Sequence, residues 1–301
     1  MRATLQLCTY NRAQLLGRVL DACFEQTQPA DDYEVVLVDD GSRDDTPRVI
    51  AAARARATCR FTVIEQPNAG LARARNAGIA RAAGERIIFI DDDVLPTPTF
   101  VEEHLRSDRA HPFAIVRGAV INTESFERLP APTWTLANYS GNFFWTSNVS
   151  LPLAMLRRVG NFTEAFREYG WEDIELGLRL RFAGVPGVFN RFAVAFHHKP
   201  RPRASDVTGM LRQAQAQART ALQLRDLHPH WRVVLATGDD ALRRTYYRLR
   251  RASRMIERLE RRIGARDTDR TLDGRELTAA RRLARETYYA ELERVRAARP
   301  R

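Results

Sequence analysis

Lysine is almost missing from this chain: Lys199 is the only one in 301 residues, so nearly all of its positive charge is arginine. Cysteine is scarce as well. Cys8, Cys23 and Cys59 are odd in number and widely spaced, with no C-x-x-C pair, which excludes a disulfide framework and a cysteine-based zinc or redox site. Cys8 and Cys59 sit in or beside strand-like runs and read as small buried hydrophobes. No apolar run approaches the roughly 18–20 residues that a spanning helix requires. The opening MRATLQLCTYNR has neither the long apolar stretch nor the small-residue cleavage site of a secretory signal, so the expectation is a cytoplasmic protein, free or peripheral on the inner face of the membrane. What remains is globular in composition, 44% hydrophobic and 28% charged, and long enough for one α/β domain with a smaller appendage.

A formal charge of +11 suggests nucleic acid until it is located. Residues 241–301 hold 19 arginines against nine acids, a net of +10, which leaves about +1 for residues 1–240. The region that carries the motifs is nearly neutral and the tail carries the basicity. Nucleic-acid binding is not expected.

The first 120 residues alternate strand and helix. LQLCT (5–9), YEVVLVDD (33–40), FTVIEQ (61–66) and RIIFIDDD (86–93) read as buried strands. Between them, residues 11–25 place Leu15, Leu16, Val19, Leu20 and Phe24 at helical spacing, Thr46-Pro47 reads as an N-cap with proline at the first helical position, and residues 71–83 form a helix closed by Gly84. Such alternation predicts a Rossmann-like α/β fold, a mostly parallel central sheet with helices on both faces. Further on, 114–121 and 143–152 read as strands around a polar loop over 122–142, and 153–159 as a short helix. Residues 171–183 read as an amphipathic helix with Ile174, Leu178 and Phe182 on one side, and 187–198 as short closing strands. From residue 205 the pattern is helical, over 205–227, 239–263 and 275–297. The division expected is a catalytic domain over 1–204, with a nucleotide half over about 1–120 and an acceptor half over about 121–204, and an Arg-rich helical extension over 205–301.

In open α/β sheets ligands bind where the carboxyl ends of strands converge. Two strands here end in acids at that edge, Asp39-Asp40 and Asp91-Asp92-Asp93. Carboxylates brought together repel unless a cation or donors intervene, and the natural occupant is a hard divalent ion that shares its shell with phosphate oxygens. Asp44 and Asp45 precede a helix start and read as capping residues.

TYNR (9–12), VDDGSRDDT (38–46), QPNAGLARARNAGI (66–79) and IDDDV (90–94), in that order and spacing, resemble inverting family 2 glycosyltransferases with the GT-A fold over roughly residues 3–200. The resemblance implies that Thr9 and Asn11 face the nucleotide and that Asp40 hydrogen-bonds the base. It puts Asp91 near the ribose and Asp92 in the same donor-binding run. Asp93, the last acid of a DXD motif, ligates a Mn²⁺ or Mg²⁺ ion that bridges the donor diphosphate. Arg75 and Asn76 match residues that line the donor pocket.

A fifth motif, GWEDIELGLRL (170–180), resembles the family's catalytic site. Asp173 corresponds to the base that takes the acceptor hydroxyl's proton, and Glu172 beside it orients the acceptor. The dipole at a helix start favours an ionised carboxylate, the form a base requires. Trp171 either stacks on a sugar ring or packs in the core. His197 and His198 follow a closing strand where many GT-A enzymes place a histidine metal ligand. Of the two His197 is favoured, because His198 opens the charged segment HKPRPR. Asn148 matches a position near the donor sugar and acceptor. Residues 160–166 depart from the family's G-x-F-D-E-x-F in having Thr163 for the aspartate, while Glu164 remains.

The expected activity is transfer of a hexosyl or N-acetylhexosaminyl unit from a nucleotide-diphosphate sugar to a glycan or lipid-linked acceptor. UDP is favoured over GDP and dTDP, and polysaccharide synthesis is a suitable setting. Two rivals stand beside it. A nucleotide-sugar pyrophosphorylase would carry a basic Gly-rich N-terminal loop, which LCTYNRAQ lacks. A scaffold on a decayed transferase would have lost the acids that are intact here. The tail leaves two readings: helices packing an apolar stripe on the catalytic domain or a second subunit, in a homo-oligomer, or an Arg-rich face docking on an anionic membrane surface.

Overall fold

The computed structural model describes residues 1–136, 141–166, 168–252, 254–264 and 268–298. The chain divides into two compact units, Met1–Ala165 with Glu172–Pro200, and Phe166–Trp171 with Arg201–Arg301. The first unit opens with β1 (Ala3–Thr9), α1 (Ala13–Phe24), β2 (Tyr33–Asp39), α2 (Thr46–Arg54), β3 (Arg60–Glu65), α3 (Leu71–Arg81) and β4 (Arg86–Phe89). It continues with β5 (Val94–Pro96), α4 (Phe100–Ala110), β6 (Ile115–Thr123), β7 (Val149–Pro152), α5 (Leu153–Val159), α6 (Glu172–Phe182) and β8 (Gly187–His198).

The strands form one sheet in the order β3-β2-β1-β4-β7-β6-β8-β5. The expected parallel arrangement holds from β3 to β4, while β7 enters antiparallel between β4 and β6, and β5 lies antiparallel on β8. The sheet is therefore mixed. Buried side chains alternate between its faces: Ile88 joins Leu5, Leu7, Leu16, Leu20, Val35 and Phe100 in one core, and Ile87 and Phe89 join Phe144, Leu151, Leu156, Leu176 and Leu180 in the other.

This topology sets the edge at which the motifs meet. Thr9 pairs with Asp39, and β4 runs parallel to β1, so the chain leaves all three strands at one edge. Because β7 is antiparallel to β4, with Val149 opposite Phe89, residues 146–148 enter at that same edge. The pairing of Val94 with His197 brings the end of β8 to the loop after β4.

Several local expectations shift by a few residues for identifiable reasons. The strand read over 143–152 forms only at Val149–Pro152. Residues 137–140 of the loop read over 122–142 lie outside the described residues, and β6 extends to Thr123. Thr46 is not the N-cap of α2, which is Asp45: the Thr46 hydroxyl accepts from the Arg12 amide, and its own amide donates to Asp44. α3 ends at Arg81, and Gly84 serves close approach instead of capping, since a Cβ there would lie 2.4 Å from the Ala3 carbonyl carbon. On α6 the buried residues are Glu175, Leu176, Gly177, Leu178 and Leu180, while Phe182 is 49% exposed. Gly177 sets that face, because a Cβ there would lie 2.8 Å from the Cβ of Phe144.

The second unit is helical: α7 (Asp206–Leu227), α8 (Trp231–Thr237), α9 (Ala241–Ala252), α10 (Met255–Ile263) and α11 (Gly274–Ala297). The helix read over 239–263 is broken. Gly238 closes α8 in the left-handed conformation, and Arg254, with φ of 54°, separates α9 from α10. One apolar cluster joins Ala204 and Val207 to Leu259, Ile263, Leu272, Ala279, Ala280 and Leu283, and another joins Ala218, Leu222 and Leu292. Among the described residues no helix is long and apolar enough to cross a membrane.

Candidate active site

The loops after β1 and β2 are tied together. The Thr9 carbonyl accepts the Asp40 amide. Asn11, with φ of 53°, donates its amide to Ser42 and accepts the Arg43 amide on its side chain. Asp40 is buried, and both of its carboxylate oxygens are engaged. Oδ1 accepts from Gln66 Nε2 at 2.7 Å and the Ala69 amide at 2.9 Å, and Oδ2 accepts from the Gly70 amide at 3.0 Å. It thus anchors the segment that starts α3, where backbone donors have no intrahelical partner.

The loop after β4 carries three acids in three environments. Asp91 accepts from the Ser147 hydroxyl and faces Arg75 at 3.5 Å. Burial pushes the Asp92 carboxyl up to about 7 against the opposing charge of Arg12, which lies 3.7 Å away. Burial also works against ionisation of Asp93. There the hydrogen bond and charge of His197, together with Arg12, outweigh it and hold the carboxyl below its ordinary value. His197 Nε2 lies 3.6 Å from Asp93 Oδ1, while its Nδ1 is buried without a hydrogen-bond partner. His198 instead packs its ring on Phe126, with centroids 5.5 Å apart, and gives its backbone amide to the Asp93 carbonyl. The structure therefore separates the two histidines: only His197 is described with its ring nitrogen facing Asp93. Among the described residues no three His, Cys, Asp or Glu side chains converge into a metal-holding set.

Arg75 joins this loop to the start of α6. Its guanidinium is buried, donates to Glu172 at 2.9 Å and to Thr146 at 2.6 Å, faces Asp91, and lies over the Phe162 ring at 5.2 Å. Its carbonyl is held by Gln6 Nε2, and that approach of α3 to β1 requires Gly78, where a Cβ would lie 2.1 Å from the same nitrogen. Burial opposes the charge on Arg75, but Glu172 and Asp91 more than compensate, so its pKa is raised. Asp173 is driven the other way from Asp93: burial first, then the charge of Glu172, push its carboxyl up to about 7. The expected preference for the ionised form at a helix start is thus outweighed. One oxygen of Asp173 accepts the Ile174 amide at 2.7 Å.

The remaining residues singled out in the sequence are held in other ways. Asn76 is bonded through both ends of its amide to the Phe162 backbone and also donates to Glu164, so it fixes the loop over 160–164. Arg179 supports that loop by donating to the carbonyls of Val159, Gly160 and Asn161 while pairing with Glu175. Asn148 is buried below the edge, facing His104 and donating to the carbonyls of Ala119 and Ala193. In the second unit, the Trp171 indole donates to the Gln217 carbonyl at 2.8 Å. Gly170 and Trp171 both have positive φ, 114° and 72°, immediately before Glu172. A left-handed tryptophan is a strained conformation of the kind that clusters at functional sites. Arg12, Thr146 and Ser147 also make contacts here. Arg12 stands in TYNR and the other two in the segment around Asn148, but their partners, Asp92 and Asp93 for Arg12, Arg75 for Thr146 and Asp91 for Ser147, are distant in sequence.

A mixed sheet with helices on both sides, acids at the ends of parallel strands and a helical tail define a GT-A glycosyltransferase fold. The chain belongs to glycosyl transferase family 2, whose pattern matches residues 4–163. That match includes the strand-end acids and ends before Glu172 and Asp173. The chain is 32% identical over 219 residues to a validoxylamine A glucosyltransferase of Streptomyces hygroscopicus subsp. jinggangensis, covering 61% of this chain and 52% of that one. It spans about half the length of the curated relatives that head its matches. Among solved structures it resembles the mannosyltransferase PcManGT of Pyrobaculum calidifontis, in complex with GDP-Man and Mn²⁺, with a TM-score of 0.57 and 20% identity over 100% of this chain and 76% of that one. It also resembles residues 1–349 of S. aureus TarS in complex with UDP, with a TM-score of 0.57 and 16% identity over 99% and 92%. These distant likenesses show the fold.

Proposed function

We propose that this protein is an inverting glycosyltransferase that moves a hexosyl unit from a nucleoside diphosphate sugar, UDP-linked in the first instance, to an acceptor hydroxyl. The observation that carries this reading is the pair of opposed carboxylates. Asp93 is held ionised beside His197, and Asp173, its carboxyl pushed up by burial, stands next to Glu172, which Arg75 joins to Asp91. Glucosyl transfer in the Streptomyces relatives supports a hexosyl donor, and GDP-Man with Mn²⁺ in one structural neighbour and UDP in another support a nucleotide-bound donor with a divalent ion.

One carboxylate and one imidazole suit Mn²⁺, with phosphate oxygens and water completing the shell. An ion held there by Asp93 and His197 would neutralise charge on the leaving diphosphate. The chain's own residues account for the rest. Asp40 shapes the nucleotide end by fixing the start of α3, with Thr9 and Asn11 in the adjoining loop. Arg75 keeps Asp91 and Glu172 in register, so it is a positioning residue. The acceptor oxygen attacks the anomeric carbon from the face opposite the diphosphate, its proton passes to the free oxygen of Asp173, and the carbon–oxygen bond to the diphosphate breaks with its electron pair. A base with pKa near the working pH is suited to this role.

The test is a screen of UDP-, GDP- and dTDP-sugars for nucleoside diphosphate release with and without Mn²⁺, followed by NMR of the transferred sugar. Release that depends on Mn²⁺ and a product of inverted anomeric configuration are expected. Absence of release from every donor, or retained configuration, would overturn the reading.

A further inference from the structure

Helices α9 and α10 are both amphipathic and both pack on α11, yet they present opposite faces to it. α10 turns its apolar side inward, burying Leu259 and Ile263 beside Ala279, Ala280 and Leu283. α9 does the reverse. Arg250 donates to the fully buried Glu286 at 2.7 Å, and Arg248 and Arg251 both bond Glu293. Arg244 donates to the buried Asp239 at 2.8 Å, and Tyr247 stacks on Tyr289 with ring centroids 4.0 Å apart. With these contacts holding one side, Leu242, Tyr246 and Leu249 are left 85%, 52% and 67% exposed. At 100° per residue those three lie within a sector of about 60°, with Arg250 and Arg243 beyond Tyr246 on one edge and Arg250 lying 5.3 Å over the Tyr246 ring. Arg243, which pairs with Asp240 at 3.4 Å, remains 51% exposed. α8 has exposed apolar residues of its own, Trp231 and Leu235, four residues apart and each 57% exposed, with Arg232 lying 4.5 Å over the Trp231 ring.

We propose that the outward face of α9 is a membrane-docking surface for anionic lipid. Leucines and a tyrosine on one face with arginines along a margin is the composition of a helix that lies in the interface plane, apolar side down, with guanidinium groups among the headgroups. Charge selects the occupant. Residues 231–252 carry six arginines and two aspartates, and residues 241–301 a net of +10. Two copies meeting through this face would bring two positively charged segments together, whereas a negatively charged bilayer attracts them. The structure also revises which side faces the lipid. It is the apolar stripe that is presented, because many of the tail's arginines turn inward to buried acids.

The experiment is vesicle sedimentation of the full chain, with phosphatidylcholine alone and with an equal mixture of phosphatidylcholine and phosphatidylglycerol, alongside light scattering. Wild type is expected to pellet with the anionic vesicles, less so at high salt, and to stay in solution with the neutral ones. Leu242→Ser with Leu249→Ser should lower binding roughly tenfold or more by removing the inserted apolar groups, while nucleotide-sugar hydrolysis and solution mass stay unchanged. Leu242→Trp with Leu249→Trp should strengthen binding. Failure of wild type to pellet with anionic vesicles at low salt overturns the proposal, as does the absence of any gain in the tryptophan variant. A fall from dimer to monomer in the serine variant also overturns it and assigns the stripe to a second copy. Hydrolysis is read in the same samples, so loss of the transferase reading and loss of this one are separate results.

Discussion

The loop after β4 and the first turn of α6 both bring carboxylates to the sheet edge, and the protein treats them oppositely. Asp93 has a half-exposed arginine and a histidine beside it, which hold it ionised despite burial. Asp173 has a second carboxylate beside it, and burial together with that charge holds its proton to about 7. Arg75 moderates the second environment, since its charge lowers the Asp173 value against those larger effects. Two acids pushed apart in this way are suited to different work, one as a permanent anion and one as a proton acceptor.

The largest expected break in that contrast is Asp173→Asn. Loss of a positioned base should reduce the rate by about 10²–10⁴-fold while donor and Mn²⁺ affinity survive, as steady-state kinetics and calorimetry would show. A rate close to wild type would leave Asp173 as a helix-start residue only.

Asp93→Ala should remove the Mn²⁺-dependent part of nucleoside diphosphate binding, a loss of at least roughly tenfold for a direct ligand. Asp44→Ala is the control in the same half of the unit: Asp44 is held by the amides of Ala13 and Thr46, and its removal should leave binding almost normal. Equal losses in calorimetry would point to general destabilisation.

A smaller effect sharpens the comparison at α6. A base must be unprotonated, so the rate should rise with pH through the Asp173 value. Glu172→Gln removes the like charge that raises it and should move the acidic limb of the pH–rate profile to lower pH. Arg75→Gln removes an opposing charge and should move the limb to higher pH.

The smallest effect is on stability. The folded state holds the Asp173 proton more tightly than the unfolded chain between 3.8 and about 7, so this group's contribution falls as pH rises through that window. Asp173→Asn should therefore melt at a higher temperature than wild type at pH 8, with the difference closing near the lower limit. An inactive but more stable variant would show that the site is held at a cost to the fold.

Much of the architecture was legible because strands buried on both faces and helices of regular spacing leave strong local patterns. The strand-end acids were legible for the same reason, since each run of aspartates follows a continuous apolar strand. What was not legible depended on partners distant in the chain. Asp40, Asn76 and Asn148 stand out as motif residues. Their bonds to Gly70, to Phe162 and to the carbonyls of Ala119 and Ala193 arise only once strands and loops are assembled. Arg12 and Ser147 carried no local signal of their meeting with the acids, nor Thr146 of its bond from Arg75.

By itself the sequence determined most of the segments that become strands, where acids fall at their ends, and that the tail is helical and basic, because those features follow from residues adjacent or a few positions apart. Tertiary structure decided which histidine faces Asp93, since that rests on the pairing of Val94 with His197 in a strand more than a hundred residues away. It decided the protonation of Asp173, since burial and the charge of Glu172 outweigh the local helix start. It also decided which side of α9 faces outward: the acids of α11 and Asp239 draw its arginines in, and helical periodicity then leaves the leucines exposed.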